Sequence, residues 1–256
     1  MAQVMRVSEQ YPRLYHYTTS TGVLGIIQQK CLWATHYKFL NDYSEIKRFR
    51  PKLIELLLPI VLDQYNNAIQ KFPNSTDIIS ANGGLDTIVK HDTEVFVDSS
   101  YDALGDEIYI TSFCGEHSDD YINNNGLLSQ WRAYGGCGGY AIIFRTQELE
   151  EMIQLEFNGF HYDFANLADV VYSDEEEKIK LEFSPHLNNI AKHSIAIFET
   201  ILRQENEPPD ATESYPSFAS CISRYKDRGF KEEQEIRIVA LPTTITAFSI
   251  SIDYFI

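Results

Sequence analysis

YHYTTSTGVLGII, residues 15–27, reads as a short strand ending on a His-Tyr-Thr tip, then a small polar turn that opens an apolar helix. The strand covers about 13–17 and the helix about 20–30, with Val23, Leu24, Ile26 and Ile27 facing the core. That order presents His16, Tyr17 and Thr18 at the mouth of a sheet rather than deep inside it. A second signal lies near the other end. In EEQEIRIVAL (232–241), Glu233, Glu235 and Arg237 lead into another strand. Side chains two apart on extended backbone share a face, so the two acids are expected to point the same way.

Between these ends, LWATH (32–36) reads as a strand running into FLNDYSE (39–45), where Asn41, Asp42 and Ser44 are turn and helix-cap residues. Apolar residues at 46, 49, 53, 57, 60, 61, 65, 68 and 72 keep the helical period over about 44–72, with Pro51 and Pro59 placed to kink or split that helix. Residues 73–84 form a turn-rich connector and 85–104 a weaker helix. A strand follows at 107–113, and a second, more buried one at 139–145. NNNGLLSQWRAYGGCGG (123–139) lies between them, its glycines suited to tight turns and close ligand approach. Next come a short helix near 146–154, a strand near 168–172 and a helical region at 174–206. A Ser173/Glu176 capping box opens that region and Pro185 divides it. The loop-like 205–216 precedes a helix near 217–228 that a left-handed Gly229 would stop. Strands at 235–241 and 245–251 follow, and the apolar DYFI end is a last strand either tucked in or cut short.

Strands near both ends with helices between them indicate an α+β class. One domain over 1–256 is expected, a mixed or antiparallel sheet core with mostly helical insertions at about 44–105 and 174–228. GGCGGY (135–140) precedes a strand instead of opening a helix, so it is no dinucleotide fingerprint, and a phosphate-binding GKS or GKT loop is missing.

The 256 residues are 44% hydrophobic, enough for a substantial core, and 13% aromatic, as expected where rings line a cleft. A net charge of −16 without any run of Lys and Arg disfavours a broad grip on nucleic acid or a charged membrane surface. LIELLLPIVL (53–62) is too short to span a bilayer. Cys31, Cys114, Cys137 and Cys221 form no CxxC pair, which fits reduced thiols, and the N-terminal stretch has no signal-peptide character. A soluble cytoplasmic protein is expected.

Four stretches, in order, resemble an uncharacterised bacterial domain family of unknown function: 14–45, ITSFCGE (110–116), LSQWRAYGGCGGYAIIF (128–144) and FKEEQEIRIV (230–239). More remotely, the opening is similar to the first motif of the ADP-ribosyltransferase superfamily. There a strand-borne His or Arg, often followed by a hydroxyl residue, holds the ribose of NAD, and the last motif is a strand Glu, often second in an E-x-E pair. The resemblance implies an ADP-ribosyltransferase-like fold with His16 and Thr18 at the cofactor, Glu235 as the catalytic carboxylate and Glu233 as its upstream partner. Ser112 and Tyr134 are both available for the middle motif. It further implies an NAD-consuming enzyme that passes ADP-ribose to a protein or nucleic-acid acceptor, as toxins and anti-phage effectors do. An antitoxin or a phage protein would be its partner. The alternative is a non-catalytic module that senses a nucleotide or a phage component.

The residue types suit that chemistry. Breaking the nicotinamide–ribose bond builds positive charge on the sugar, which a carboxylate stabilises. A second acid would activate the acceptor. Tyr17, Trp131 or Tyr134 would stack on a flat ring, and the Arg132 fork matches pyrophosphate oxygens. Blander readings stand beside each of these: a structural histidine, an exposed Glu235–Arg237 ion pair, a core tryptophan beside a turn, and a solvated helix start at Asp174–Glu177. Cys114 and His117 form a C-x-x-H, but the second pair of a zinc site is missing, and a thiol hydrolase needs a third orienting group.

Overall fold

A short helix, α1 (Val7–Gln10), leads into β1 (Arg13–Thr19), and Thr19 then caps α2 (Ser20–Gln29) by accepting the Gly22 amide at 3.2 Å. The structure, a computed structural model, describes residues 6–40, 44–72, 75–104, 107–136, 138–203 and 212–243. Asn41, Asp42, Cys137 and the strand expected at 245–251 lie outside those residues. Leu24 and Ile27 of α2 are exposed, against the expectation that they face the core.

After the two-residue β2 (Thr35–His36), the expected 44–72 helix is two: α3 (Ser44–Arg48) and α4 (Arg50–Ile69). Pro51 sits in the first turn of α4, where its missing N–H costs nothing, while Pro59 is carried inside the helix. The 73–84 connector contains α5 (Ser75–Ala81), and α6 spans Leu85–Leu104. β3 (Tyr109–Gly115) begins two residues later than expected. Two helices, α7 (Asp120–Asn125) and α8 (Leu128–Tyr134), replace the expected run of turns.

β4 (Gly139–Arg145) is an edge strand of intermediate to exposed residues, not a more buried one. α9 runs over Thr146–Gly159, and in place of the one strand expected near 168–172 there are two, β5 (Tyr162–Asp169), which begins well before it, and β6 (Val171–Tyr172). α10 (Glu176–Arg203) passes through Pro185 unbroken. Buried Ile179, Phe183, Leu187, Ile190, Ala191 and Phe198 recur at helical spacing and offset the lost hydrogen bond. Ser173 does not cap it; its Oγ accepts the Arg228 amide instead. α11 (Tyr215–Ile222) stops well short of Gly229, and β7 (Tyr225–Lys226) and a 3-10 segment (Arg228–Glu233) precede β8 (Glu235–Pro242).

The class is α+β. Among the described residues, the main sheet runs β4-β1-β3-β8-β5 with β2 beside β3, every pair antiparallel, and β6 and β7 form a short parallel pair. One face carries Leu14, Phe113, Leu167 and Ile236 beneath Val7 of α1 and Leu149 and Ile153 of α9. On the other, Tyr15, Tyr17 and Cys114 meet Leu127 and Trp131, while Ile110, Val239 and Leu241 join the core of α4, α6, α10 and α11. One irregularity positions the site. β1 pairs with β4 from Arg13↔Arg145 to Thr19↔Gly139, yet meets β3 only at Leu14↔Gly115 and Tyr15↔Cys114. Past Tyr15 the sheet opens.

Candidate functional site

His16 stands where β1 and β3 part. Its Nδ1 lies 3.0 Å from the Ser112 carbonyl oxygen, which only accepts, so Nδ1 carries the proton and Nε2 is left as an acceptor. Burial lowers the ring's pKa, with the Ser112 bond opposing, so the imidazole is neutral at pH 7. Strand alternation groups His16 with Leu14, and its ring lies 5.5 Å from that of Phe113.

Glu235 opens β8 on the opposite face, in the row Tyr15–Cys114–Glu235 set by strand register. It is no exposed ion pair: Glu235 and Arg237 are 5% and 4% accessible. Arg237 donates from Nε to Oε1 at 2.7 Å and from Nη2 to Oε2 at 3.0 Å. Lys226 of β7 donates to Glu235 Oε2 and to Glu233 Oε2, each at 2.8 Å. The Arg237 Nη1 donates to the Ser223 carbonyl, and the Glu235 amide to the Tyr172 hydroxyl. Burial by itself would raise the Glu235 carboxyl, but Arg237 and Lys226 bring it down to about 2. Among the described residues, two acids and two basic side chains thus meet in one largely buried cluster.

Glu233 reaches this cluster by an unexpected route. It ends the 3-10 segment, and Gln234 follows in the left-handed region (φ 43°), so the pair is not alternating strand. Lys226, and not a shared strand face, brings the two carboxylates together.

A cavity of about 370 Å³ collects His16, Tyr17, Ser112, Tyr134, Glu233 and Glu235, with Lys226 and Arg237 also in its wall. That volume falls within the roughly 300–1,000 Å³ range of small-molecule sites. Three partly exposed aromatics, Trp33, Tyr134 and Phe230, line it as well.

Three expected ligands do not line this cavity. Thr18 instead packs against Gly22, where a Cβ would overlap its hydroxyl. Trp131 is a structural pin: it meets Tyr17 edge-on at 4.9 Å and donates from Nε1 to the Asn125 carbonyl at 2.8 Å. Arg132 is exposed. Tyr17 lines the cavity, but its hydroxyl is engaged by the Leu127 amide at 2.8 Å, fixing the start of α8.

Lys226 and Tyr172 were missed. Lys226 fell within a stretch that reads as helix and carries no signal of its own. Arg237 offered one, since a charged pair in an otherwise apolar strand has to be satisfied inside.

Cys114 lines the cavity, but burial pushes its thiol pKa up, ahead of the Glu235 and Glu233 charges, so no thiolate is at hand. The His117 amide donates to Asn123, and its ring accepts the Asp119 amide, so it braces a turn. Among the described residues no three His, Cys, Asp or Glu are placed to hold a metal, and no helix is long and apolar enough to cross a membrane.

A family model described as a protein of unknown function (DUF2971) matches residues 130–238. This match fits the uncharacterised domain family that the sequence resembles. The DUF2971 span runs from α8 into β8 and holds Tyr134, Lys226, Glu233, Glu235 and Arg237, whereas His16 and Ser112 come from outside it. No curated protein and no solved structure matches the chain. What the site presents chemically is a held, ionised carboxylate and a neutral imidazole at two sides of an aromatic-lined cavity.

Proposed function

We propose that this cavity binds NAD and that the chain is an NAD-consuming enzyme of ADP-ribosyltransferase-like fold, passing ADP-ribose to a macromolecular acceptor. One observation carries this reading: His16 of β1 and Glu235 of β8 line a single cavity where the sheet splits, with Ser112 and Tyr134 beside them. An ionised Glu235 suits stabilisation of the ribosyl cation, because fixed charge acts strongly in a site that excludes water. The neutral His16 retains an acceptor nitrogen for a ribose hydroxyl, and Tyr134 supplies a face for a flat ring. Glu233, 17% accessible and so more open than Glu235, is the acid for an incoming nucleophile. The resembled class contains toxins and anti-phage effectors, and the same setting is inferred here, with an antitoxin or phage protein as partner.

The test is incubation with NAD labelled in the nicotinamide ring, alone and with protein, DNA or RNA acceptors. Nicotinamide release should fall at least 100-fold in Glu235→Gln, while His16→Ala weakens NAD binding. Intact NAD after hours with every acceptor would overturn the enzymatic reading.

The ion pairing of Glu235 favours a second reading, a non-catalytic module that senses a nucleotide or phage component. A carboxylate already gripped by Arg237 and Lys226 has less to offer a substrate. This reading requires saturable binding without turnover, and Glu235→Gln would then change affinity alone.

A further inference from the structure

A second cavity lies in the helical layer and shares no lining residue with the first. Its volume is about 360 Å³. Tyr65 comes from α4, Asp92 and Phe96 from α6, Ser194 and Ile197 from α10, and Tyr215 from the start of α11. Val95 and Ser99 also line it, and both are exposed, so it opens to solvent along α6.

Asp92 is the charged group among the described lining residues. It is half-buried and accepts a hydrogen bond from the Tyr65 hydroxyl at 3.1 Å, which in turn bonds to Ser194. Among the described residues, no Lys or Arg forms an ion pair with it. The contrast with Asp98 on the same helix is direct, since Arg50 Nη2 holds that carboxylate at 2.8 Å. Tyr65 is locked in turn by stacking on Phe198 at 3.9 Å. A half-buried acid against mainly apolar walls, without a Lys or Arg partner among the described residues, is less well solvated than the same acid in water. Burial accordingly raises its pKa, with the Tyr65 bond and the His91 charge acting the other way.

We propose that this cavity is a second ligand site that takes a small organic cation, an amine whose charge pairs with Asp92 and whose apolar body packs on Phe96 and Ile197. Tyr215, which also lines the cavity and is not stacked on another ring among the described residues, would add the attraction that π-systems have for cations. The proposal is independent of the NAD reading, since the two cavities have separate walls.

The test uses the full chain at pH 7 with matched probes: benzylammonium and butylammonium against benzyl alcohol and butanol. Binding is followed by calorimetry and by ligand-observed NMR. The ammonium probes should bind saturably and at least tenfold more tightly than the neutral ones. Asp92→Asn, whose amide oxygen still accepts from Tyr65, should remove that preference. Val95→Trp, at an exposed position of the mouth, should block binding with Asp92 intact, which keeps the test decisive if Asp92→Asn folds poorly. Equal affinity of charged and neutral probes, no saturable binding by any of them, or a preference that survives both substitutions would overturn the proposal.

Discussion

Arg237 and Glu235 sit two residues apart on β8 and clasp side by side, Nε on Oε1 at 2.7 Å and Nη2 on Oε2 at 3.0 Å. The bidentate fork fixes the carboxylate plane, and Lys226 adds a third donor. Burying such a cluster gains little over an apolar core, but breaking it leaves charge stranded out of water.

Glu235→Ala should therefore destabilise the fold by about 3–5 kcal/mol, the usual cost of orphaning a buried ion pair. Urea denaturation checks this. The double variant Glu235→Ala/Arg237→Met should regain part of the loss; a single-variant cost under about 0.5 kcal/mol, typical of surface substitutions, would mean that water reaches the cluster.

Acid should weaken the protein in two windows. His186, beside Ser220 and Arg224, is held down to about 4 by burial and then by the Arg224 charge, from an ordinary 6.5. A depressed folded pKa contributes stability that is present above the unfolded value and lost as pH falls through the folded one. The first loss thus spans about 6.5 to 4 and the second, from Glu235, about 4.5 to 2. Melting temperature against pH should become shallower in the upper window for His186→Gln, with buried His16 supplying the remainder, and in the lower for Glu235→Gln. Parallel profiles for wild type and both variants would refute these assignments.

Gly126 ends α7 at φ +81°, and a Cβ there would overlap the Trp131 indole nitrogen. Gly126→Ala should cost about 1–3 kcal/mol from backbone strain and a displaced ring. Denaturation monitored by tryptophan fluorescence reads both effects, and an unchanged midpoint would contradict the packing described for α8.

Cysteine chemistry should separate sharply. Cys31 is exposed, whereas Cys114 and Cys221 are buried with thiol pKa values pushed up, that of Cys221 to about 12. At pH 7 iodoacetamide should label Cys31 in the native protein and reach the other two only after unfolding. Peptide mapping decides, and rapid native labelling of Cys114 would revive a thiol-based reaction.

On the NAD reading, Tyr134→Ala should weaken binding by about 1–3 kcal/mol, the value of a stacked ring, while Arg132→Ala changes it less than about twofold. Equilibrium dialysis with NAD distinguishes them. A larger effect at Arg132 would show that the ligand extends beyond the cavity.

Much of the frame is legible in the residues alone. β1 and β8 both read as strands from their residues, and the core period of α4 follows a local rule. What stays hidden depends on partners far along the chain. Pro185 reads as a break, yet α10 holds because its apolar stripe packs against α4. Trp131 reads as a stacking platform or as a core tryptophan beside a turn, and the fold takes the second, its indole bonded to Asn125 and edge-on to Tyr17. Lys226 is invisible in advance, because only the tertiary fold places its ammonium between two acids. Local propensity cannot report an ion pair whose members meet across three elements.

Gln234 adopts a backbone conformation that side-chain-bearing residues seldom take, with φ 43° and ψ 53°. That one joint turns the chain from a tight coil into a strand, and so sets the angle at which Glu233 approaches the Lys226 ammonium. The separation of the two acids is therefore a property of a hinge and not of a ruler. Glycine or asparagine would preserve the bend, whereas valine or isoleucine would straighten it and swing Glu233 off its counter-ion.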